Sequence, residues 1–150
     1  MPYPSLMVKP MREELVSAGF QELYTPGDVD RFLGEKSGTA LLVVNSVCGC
    51  AAGMARPGAR MALQDGPRPD RIATVFAGQD LEATSRARAH FADIPPSSPS
   101  MALFKDGELV WFLPRHRIEG RDALAVAREL KAAFAEHCAV AAPVETASAG

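Results

Sequence analysis

The stretch LLVVNSVCGCAAGMARPG, from Leu41 to Gly58, places two of the chain's three cysteines on either side of one glycine. The run of residues 40–47 is mostly apolar rather than alternating, which favours a central parallel strand covered on both faces. The residues after Cys50 are mostly helix-forming, and Pro57 is expected to kink or divide that helix. The sequence therefore predicts two thiols at a strand-to-helix junction. A disulfide framework, a metal site and a redox-active pair are the candidate explanations.

The bulk composition narrows those explanations. The chain has 150 residues, 47% hydrophobic and 23% charged, with a net charge of −2, which is typical of a soluble globular protein. Its basic residues are scattered, so no nucleic-acid partner is expected. We see neither a signal-peptide pattern nor a run of transmembrane length, so we expect a cytoplasmic protein with no membrane partner. Because a structural disulfide rarely persists in that reducing compartment, the framework explanation is excluded.

A metal site and a purely structural role are the remaining alternatives to redox chemistry. Zinc and iron–sulfur sites normally need four ligands. The chain has three cysteines and three histidines (His90, His116 and His137), and no histidine stands at a ligand spacing from Cys48. No metal is therefore expected, although a site shared between subunits, or a metal-binding or interaction module without turnover, stays open. Cysteines also serve as small core hydrophobes, but a close pair in this setting favours redox activity.

The remaining pattern predicts helix, weak strand, helix, strand, helix, strand, helix, hairpin and helix. Thr25 and Pro26 are suited to open the second helix, and Asp106-Gly107 is a strong hairpin signal. The later helices are predicted over about 80–91 and 121–138. The inner face of the first would carry Leu81, Thr84, Ala87 or Arg88, and Phe91. The inner face of the second would carry Leu124, Ala127, Leu130, Phe134 and Cys138.

This order of elements predicts an α/β protein. Parallel strands joined by crossover helices and completed by an antiparallel hairpin give a thioredoxin-like three-layer sandwich with a central mixed β-sheet and an N-terminal helical extension. We expect one domain over residues 1–138 and a disordered tail over residues 139–150, which are small and polar. The aromatic pair Trp111 and Phe112 is expected to divide between core and sheet surface, with a homodimer contact as the alternative.

Two sequence segments resemble a known family. The text VVNSVCGCAAG…ARPG, together with RHRIEGR before the last helix, is similar to the bacilliredoxin family, and the SPS at residues 98–100 resembles the cis-proline position of thioredoxins. Bacilliredoxins are thioredoxin-fold proteins with a Cys-Gly-Cys site, found in bacteria that use bacillithiol as their small thiol. The resemblance covers about Met11 to Cys138.

The resemblance implies a thiol–disulfide oxidoreductase. Cys48 would attack a bacillithiol–protein mixed disulfide, Cys50 would resolve the adduct, and Pro99 would take the cis-proline role. Bacillithiolated proteins and bacillithiol itself would be the partners, with bacillithiol as co-substrate and no bound cofactor. Disulfide isomerisation by the same cysteine pair is the alternative activity.

The residues themselves indicate how such a site would work. Cys48 at a helix N-terminus would have a lowered pKa because unpaired N–H groups favour a thiolate there. Cys50, one turn deeper, would be less exposed and suited to resolve, and Gly49 would permit backbone geometry that a larger residue resists. A Cys-x-Cys disulfide closes a very small ring, so we expect a relatively oxidising pair that accepts a small thiol rather than reducing robust disulfides.

Supporting residues are expected around the thiols. Ser98 and Ser100 flank the predicted substrate groove. Arg115 and His116 follow the hairpin and should lie near Pro99, where cations would attract the malyl carboxylates of bacillithiol and stabilise the thiolate. Arg56 is a further candidate from the active-site helix. Solvated surface charges are the alternative for all three basic residues, and a helix-dipole role is a further alternative for Arg56.

Overall fold

The structure is a computed structural model that describes residues 2–138; the tail predicted over residues 139–150 lies outside the described residues. Its helices are α1 (Ser5–Val16), α2 (Pro26–Gly34), α3 (Arg56–Ala62), α4 (Leu81–Ala89) and α5 (Ala123–His137). Its strands are β1 (Gln21–Glu22), β2 (Thr39–Asn45), β3 (Arg71–Phe76), β4 (Ser100–Lys105) and β5 (Glu108–Leu113). A π-helical turn, Ala51–Ala55, leads into α3, and a 3-10 turn, Arg115–Arg117, follows β5. Among residues 2–138, no helix has the length and hydropathy needed to span a bilayer.

Strand β2 lies at the centre of a five-stranded sheet of order β1-β3-β2-β4-β5. It pairs in parallel with β3 and antiparallel with β4, and all seven of its residues are buried. Burial on both faces explains why this strand is an uninterrupted apolar run rather than an alternating one. The predicted mixed sheet is thereby confirmed, including the short edge strand β1, which runs parallel to β3.

Alternate residues of the central strands supply two separate cores. Leu41 and Val43 of β2 pack with residues of α1, α3 and α5, whereas Leu42 and Val44 pack with residues of α2 and α4. Because successive strand side chains point to opposite faces, the sheet lies between two helical layers. The structure confirms the predicted three-layer sandwich with a helix N-terminal to the first strand.

Local signals set several boundaries. Thr25 accepts a hydrogen bond from the Asp28 backbone while the Asp28 carboxylate caps the Thr25 backbone, so α2 begins with a capping box. Asp106 and Gly107 both have positive φ, 51° and 87°, in the tight turn between β4 and β5.

Two inner-face predictions are wrong. Leu81 is 55% exposed and Leu124 is 46% exposed. The buried faces of α4 and α5 begin instead at Ala83 and Val126. Small residues let a helix approach the sheet closely, so the face with the smaller side chains can be the buried one. A large apolar side chain at the start of a helix is therefore a poor guide to the face that the helix buries.

The helix after the cysteines is divided before Pro57, as predicted. The Arg56 N–H donates to the carbonyl of Ala51, a wide i to i+5 turn, and regular α-helix begins at Arg56. Proline has no N–H and its ring crowds the carbonyl four residues earlier, so a widened turn relieves the conflict. The cysteine pair therefore opens a helix whose first turn is irregular.

Candidate active site

Cys48 lies in the loop between β2 and the irregular helix, at the carboxyl end of the central strand. Its carbonyl accepts hydrogen bonds from the backbone N–H groups of Ala51 and Ala52, at 3.1 and 3.2 Å. The residue therefore precedes the first turn of the helix, where unpaired backbone N–H groups favour negative charge. Both Cys48 and Cys50 are reduced and partly exposed.

Ser46 makes the closest side-chain contact with the Cys48 thiol. Its hydroxyl lies 3.2 Å from the Cys48 sulfur and also accepts the Cys48 backbone N–H at 3.4 Å. Partial burial alone would raise the pKa of Cys48, but hydrogen bonds from Ser46, from the Ala51 backbone and from Cys50 outweigh it. The pKa of Cys48 is therefore below that of an ordinary thiol, as the sequence predicts for a nucleophile.

Cys50 is partly exposed, like Cys48, so the structure does not single it out as the less exposed thiol that the sequence predicted. Its sulfur lies 3.7 Å from Oε2 of Glu119 and 3.7 Å from Nη2 of Arg115. Burial, the charge of Cys48 and the hydrogen bond to Cys48 raise the pKa of Cys50, and Glu119 adds to that effect while Arg115 opposes it. The two thiols are thus electrostatically unequal.

Arg115 connects Cys50 to the proline loop. Its Nε donates to Glu119 at 3.1 Å and its Nη1 donates to the Ser98 carbonyl at 3.2 Å. Its backbone N–H donates to the Ser97 hydroxyl at 3.2 Å. The structure therefore brings Arg115 to the thiols, where the sequence placed it.

The segment before β4 also lies at the site. The Ser98–Pro99 peptide bond is cis, as the resemblance to thioredoxins implies, and Pro99 is buried while Ser98 is partly exposed. Ser100 does not flank a groove through its side chain. It is buried in β4 opposite Val44, with its hydroxyl donating to the Ser97 carbonyl at 3.0 Å.

Arg56 is not a cation available to a ligand. Its side chain is 2% exposed, and both the ligand-binding and the solvated interpretations are therefore wrong. Nε donates to Glu14 at 2.7 Å, and Nη1 donates to Oδ1 of Asn45 at 2.9 Å and to the Ser46 carbonyl at 2.8 Å. Arg56 thus ties α1 to the loop that holds Ser46 against Cys48.

One other expectation, for Gly49, fails on geometry, and the role expected of His116 stays a prediction. His116 is exposed in the 3-10 turn, and no hydrogen bond or ion pair of its side chain occurs within residues 2–138. Gly49 has no positive φ, and a Cβ placed there would meet open space. Gly49 is therefore not required for the backbone conformation of the pair.

A cavity of about 310 Å³ opens beside Cys48. Its walls come from the residues Tyr3, Ser46, Val47, Cys48, Ala77, Gly78, Arg88, Ser98 and Arg115. Cys48 lines this space and Cys50 does not, and the lining contains two arginines and no acidic residue. The cavity is therefore cationic and faces the thiol with the lowered pKa.

Three residues of the site were not identified from the sequence: Tyr3, Arg88 and Glu119. For Arg88 a signal existed, because helical periodicity placed position 88 near the inner stripe of α4. For Glu119 a signal existed too, because it lies in the RHRIEGR segment, four residues after Arg115. For Tyr3 there was none, since it reaches the site from a distant segment. Among residues 2–138, no cluster of three or more His, Cys, Asp or Glu side chains is arranged to hold a metal ion.

Comparison with known proteins agrees with this geometry. Residues 3–138 match the family model described as disulphide isomerase. The chain is 53% identical over 136 residues to a bacilliredoxin of Halalkalibacterium halodurans, an alignment that covers 91% of this chain and 94% of that protein. It is 54% identical over 132 residues to a bacilliredoxin of Geobacillus kaustophilus, covering 88% of this chain and 90% of that protein.

Solved structures show the same fold at low sequence identity. A thioredoxin of Malassezia sympodialis superposes with a TM-score of 0.55 at 16% identity, covering 81% of this chain and 92% of that one. Thioredoxin O2 of Arabidopsis thaliana gives a TM-score of 0.53 at 13% identity, covering 79% of this chain and 96% of that one. The fold and the relatives support a thiol–disulfide oxidoreductase. Because the family model spans residues 3–138 and these relatives are more than half identical, the chain belongs to the bacilliredoxin family.

Proposed function

We propose that this protein removes bacillithiol from bacillithiolated proteins, with Cys48 as the nucleophile and bacillithiol as co-substrate. The observation that carries the proposal is that the thiol with the lowered pKa opens onto a cavity lined by two guanidinium groups and no carboxylate. A small thiol that bears carboxylates is suited to such a space. The family resemblance supplies the identity of that thiol.

The first step is a thiol–disulfide exchange with no net oxidation. The Cys48 thiolate attacks the bacillithiol sulfur of the mixed disulfide, a Cys48–bacillithiol disulfide forms, and the protein substrate leaves as a thiolate that takes a proton from water. The hydroxyl of Ser46, 3.2 Å from the Cys48 sulfur, stabilises the attacking thiolate. Attack on the small thiol rather than on the protein sulfur places the adduct beside the cavity.

The second step releases bacillithiol. Cys50 loses its proton and attacks the Cys48 sulfur, which gives a Cys48–Cys50 disulfide and free bacillithiol. Glu119, 3.7 Å from the Cys50 sulfur, is positioned to take that proton, a role for which the strand before the pair offers no carboxylate. Reduced bacillithiol, regenerated by its reductase, would return the pair to the dithiol. The chemistry needs no bound cofactor.

Intact-protein mass spectrometry under anaerobic conditions tests the proposal. Wild type and Cys50→Ser would be exposed to a bacillithiolated protein substrate, with Cys48→Ser as the matched control. We expect Cys50→Ser to hold one bacillithiol on Cys48 while the substrate thiol is freed, and wild type to form the internal disulfide. Cys48→Ser should leave the substrate untouched.

Each outcome has a definite meaning. If neither wild type nor Cys50→Ser acquires the adduct or releases the substrate thiol, the bacillithiol assignment is refuted. If Cys50→Ser is trapped but wild type never shows the internal disulfide, Cys50 is not the resolver and a second bacillithiol must release the adduct. Carrying Cys138→Ser in every variant removes the third thiol, which is buried at the end of α5.

Disulfide isomerisation is the second candidate. It is favoured by the description of the matching family model and by the partial exposure of both thiols, which leaves them accessible to a protein disulfide. Refolding of scrambled ribonuclease separates the candidates: an isomerase restores ribonuclease activity, whereas a protein specific for bacillithiol adducts does not. A cytoplasmic location and a homodimer stay predictions.

A further inference from the structure

Arg88 is a half-buried cation without an acidic partner. It lies in α4, and its guanidinium makes one hydrogen bond, at 3.3 Å, to the Ser97 carbonyl. Burial lowers the pKa of Arg88, and no acidic residue opposes that shift. A partly desolvated guanidinium is costly unless an anion compensates it. Within residues 2–138 that compensation is missing, although Arg88 lines the cavity.

Arg115 presents a second guanidinium to the same space. Arg88 and Arg115 donate to consecutive carbonyls, those of Ser97 and Ser98, so the proline loop holds both cations at the same cavity. Glu119 takes one nitrogen of Arg115 at 3.1 Å from outside the cavity lining. The pair therefore carries more positive charge than its own carboxylate neutralises. Two guanidinium groups in one cavity match a ligand with two carboxylates.

Tyr3 forms a further part of the cavity wall. The N-terminal segment is attached by two hydrogen bonds between the Tyr3 backbone and the Gln79 side chain, at 2.8 and 3.0 Å. The tyrosine ring lies against Gly78, where an added Cβ would be 3.7 Å from the ring. The resulting volume of about 310 Å³ is at the lower end of the range for small-molecule sites. It suits a small thiol rather than a folded protein surface.

We propose that this cavity binds the carboxylate-bearing part of the small thiol carried on Cys48, with Arg88 and Arg115 as the carboxylate ligands and Tyr3 as part of the wall. The inference rests on the proposed function and assigns residues to its specificity. When Cys48 attacks the small-thiol sulfur of a mixed disulfide, one S–S bond breaks and one forms. The protein or peptide that carried the small thiol leaves as a thiolate, and the small thiol remains attached to Cys48. The cations hold its carboxylates before and after that transfer.

The test uses mixed disulfides that contain no bacillithiol. A single-cysteine peptide would be joined either to mercaptosuccinate, which carries two carboxylates, or to mercaptoethanol, which carries none. The rate of peptide release by the reduced full-length protein gives a mercaptosuccinate-to-mercaptoethanol ratio. We expect Arg88→Gln to lower that ratio about tenfold, the effect of losing one charge-assisted hydrogen bond.

Arg86→Gln is the matched control because Arg86 lies two residues earlier on α4, is exposed and pairs with Asp30 at 2.7 Å. It removes the same charge outside the cavity, so both rates should stay at the wild-type values. A measurement on wild type alone adds a check that needs no variant to fold: at about 1 M salt, where the Debye length is about 3 Å, the ratio should fall towards one. An unchanged ratio in Arg88→Gln, or an equal loss in Arg86→Gln, overturns the inference.

A third reporter separates this inference from the proposed function. The same peptide joined to bacillithiol should react faster than the mercaptoethanol peptide in wild type. If the bacillithiol peptide reacts no faster, while the mercaptosuccinate-to-mercaptoethanol ratio still depends on Arg88, the bacillithiol assignment fails and the carboxylate site stands. If the bacillithiol peptide does react faster, but Arg88→Gln changes the rate of neither the bacillithiol nor the mercaptosuccinate peptide, the carboxylate site fails and the proposed function stands.

Discussion

Replacing Arg56 with methionine should lower the free energy of unfolding by about 3–5 kcal/mol, because two buried acceptors, Asn45 and the Ser46 carbonyl, would each lose a charged donor. The side chain is 2% exposed and donates three hydrogen bonds, to Glu14 at 2.7 Å, Asn45 at 2.9 Å and the Ser46 carbonyl at 2.8 Å. Each bond from a charged donor is worth about 1.5–3 kcal/mol. The Glu14 bond counts for less because that carboxylate is 34% exposed.

Urea unfolding of the reduced protein, followed by circular dichroism, measures this loss. In thermal unfolding of a chain of this length, the same loss should lower Tm by about 10 °C. Arg60→Met is the matched control, since Arg60 is exposed on the same helix, and it should change stability by less than about 0.5 kcal/mol. A loss below about 1 kcal/mol for Arg56→Met would refute the reasoning, because it would mean that the three hydrogen bonds add no net stability.

Three further predictions concern the redox pair and its helix. Ser46→Ala should slow alkylation of Cys48 by iodoacetamide at neutral pH about fivefold, because the hydroxyl that stabilises the thiolate is lost; an unchanged rate would contradict that role. In reduced wild type, the alkylation rate of Cys48 should rise at lower pH than that of an ordinary thiol and the rate of Cys50 at higher pH, since the pKa of Cys48 is lowered and that of Cys50 is raised. Peptide mapping after brief alkylation across a pH series measures both, and the reverse order would refute the assignment. Gly58→Ala should destabilise by about 1–3 kcal/mol in urea unfolding, because its Cβ would lie 2.7 Å from a valine side chain of α5. Gly49→Ala, facing open space, should change stability by less than about 1 kcal/mol, and equal effects at the two glycines would contradict the geometry.

The sequence-based predictions were correct where the interactions involved join residues that are close together in the sequence. The strand β2, the capping box at Thr25 and the turn at Asp106-Gly107 depend on residues within a few positions of one another. The five-residue apolar run at 40–44 is suited to the middle of a sheet that is covered on both faces. Predictions for Leu81 and Leu124 failed because the face that a helix buries depends on the surface it meets.

The sequence by itself determined that two thiols open a helix after a buried strand and that one of them has a lowered pKa. Those properties follow from the order of residues between positions 40 and 57, because the Ser46 hydroxyl and the backbone N–H groups at the helix start both lie within a few residues of Cys48. Only the tertiary structure decided which cations serve the site. Arg56 and Arg88 are both arginines on helices, yet Arg56 is buried against Glu14 and Arg88 lines the cavity. The sequence pattern around an arginine does not reveal which group its side chain will contact. Long-range packing alone therefore decides whether the arginine has a structural or a ligand-binding role.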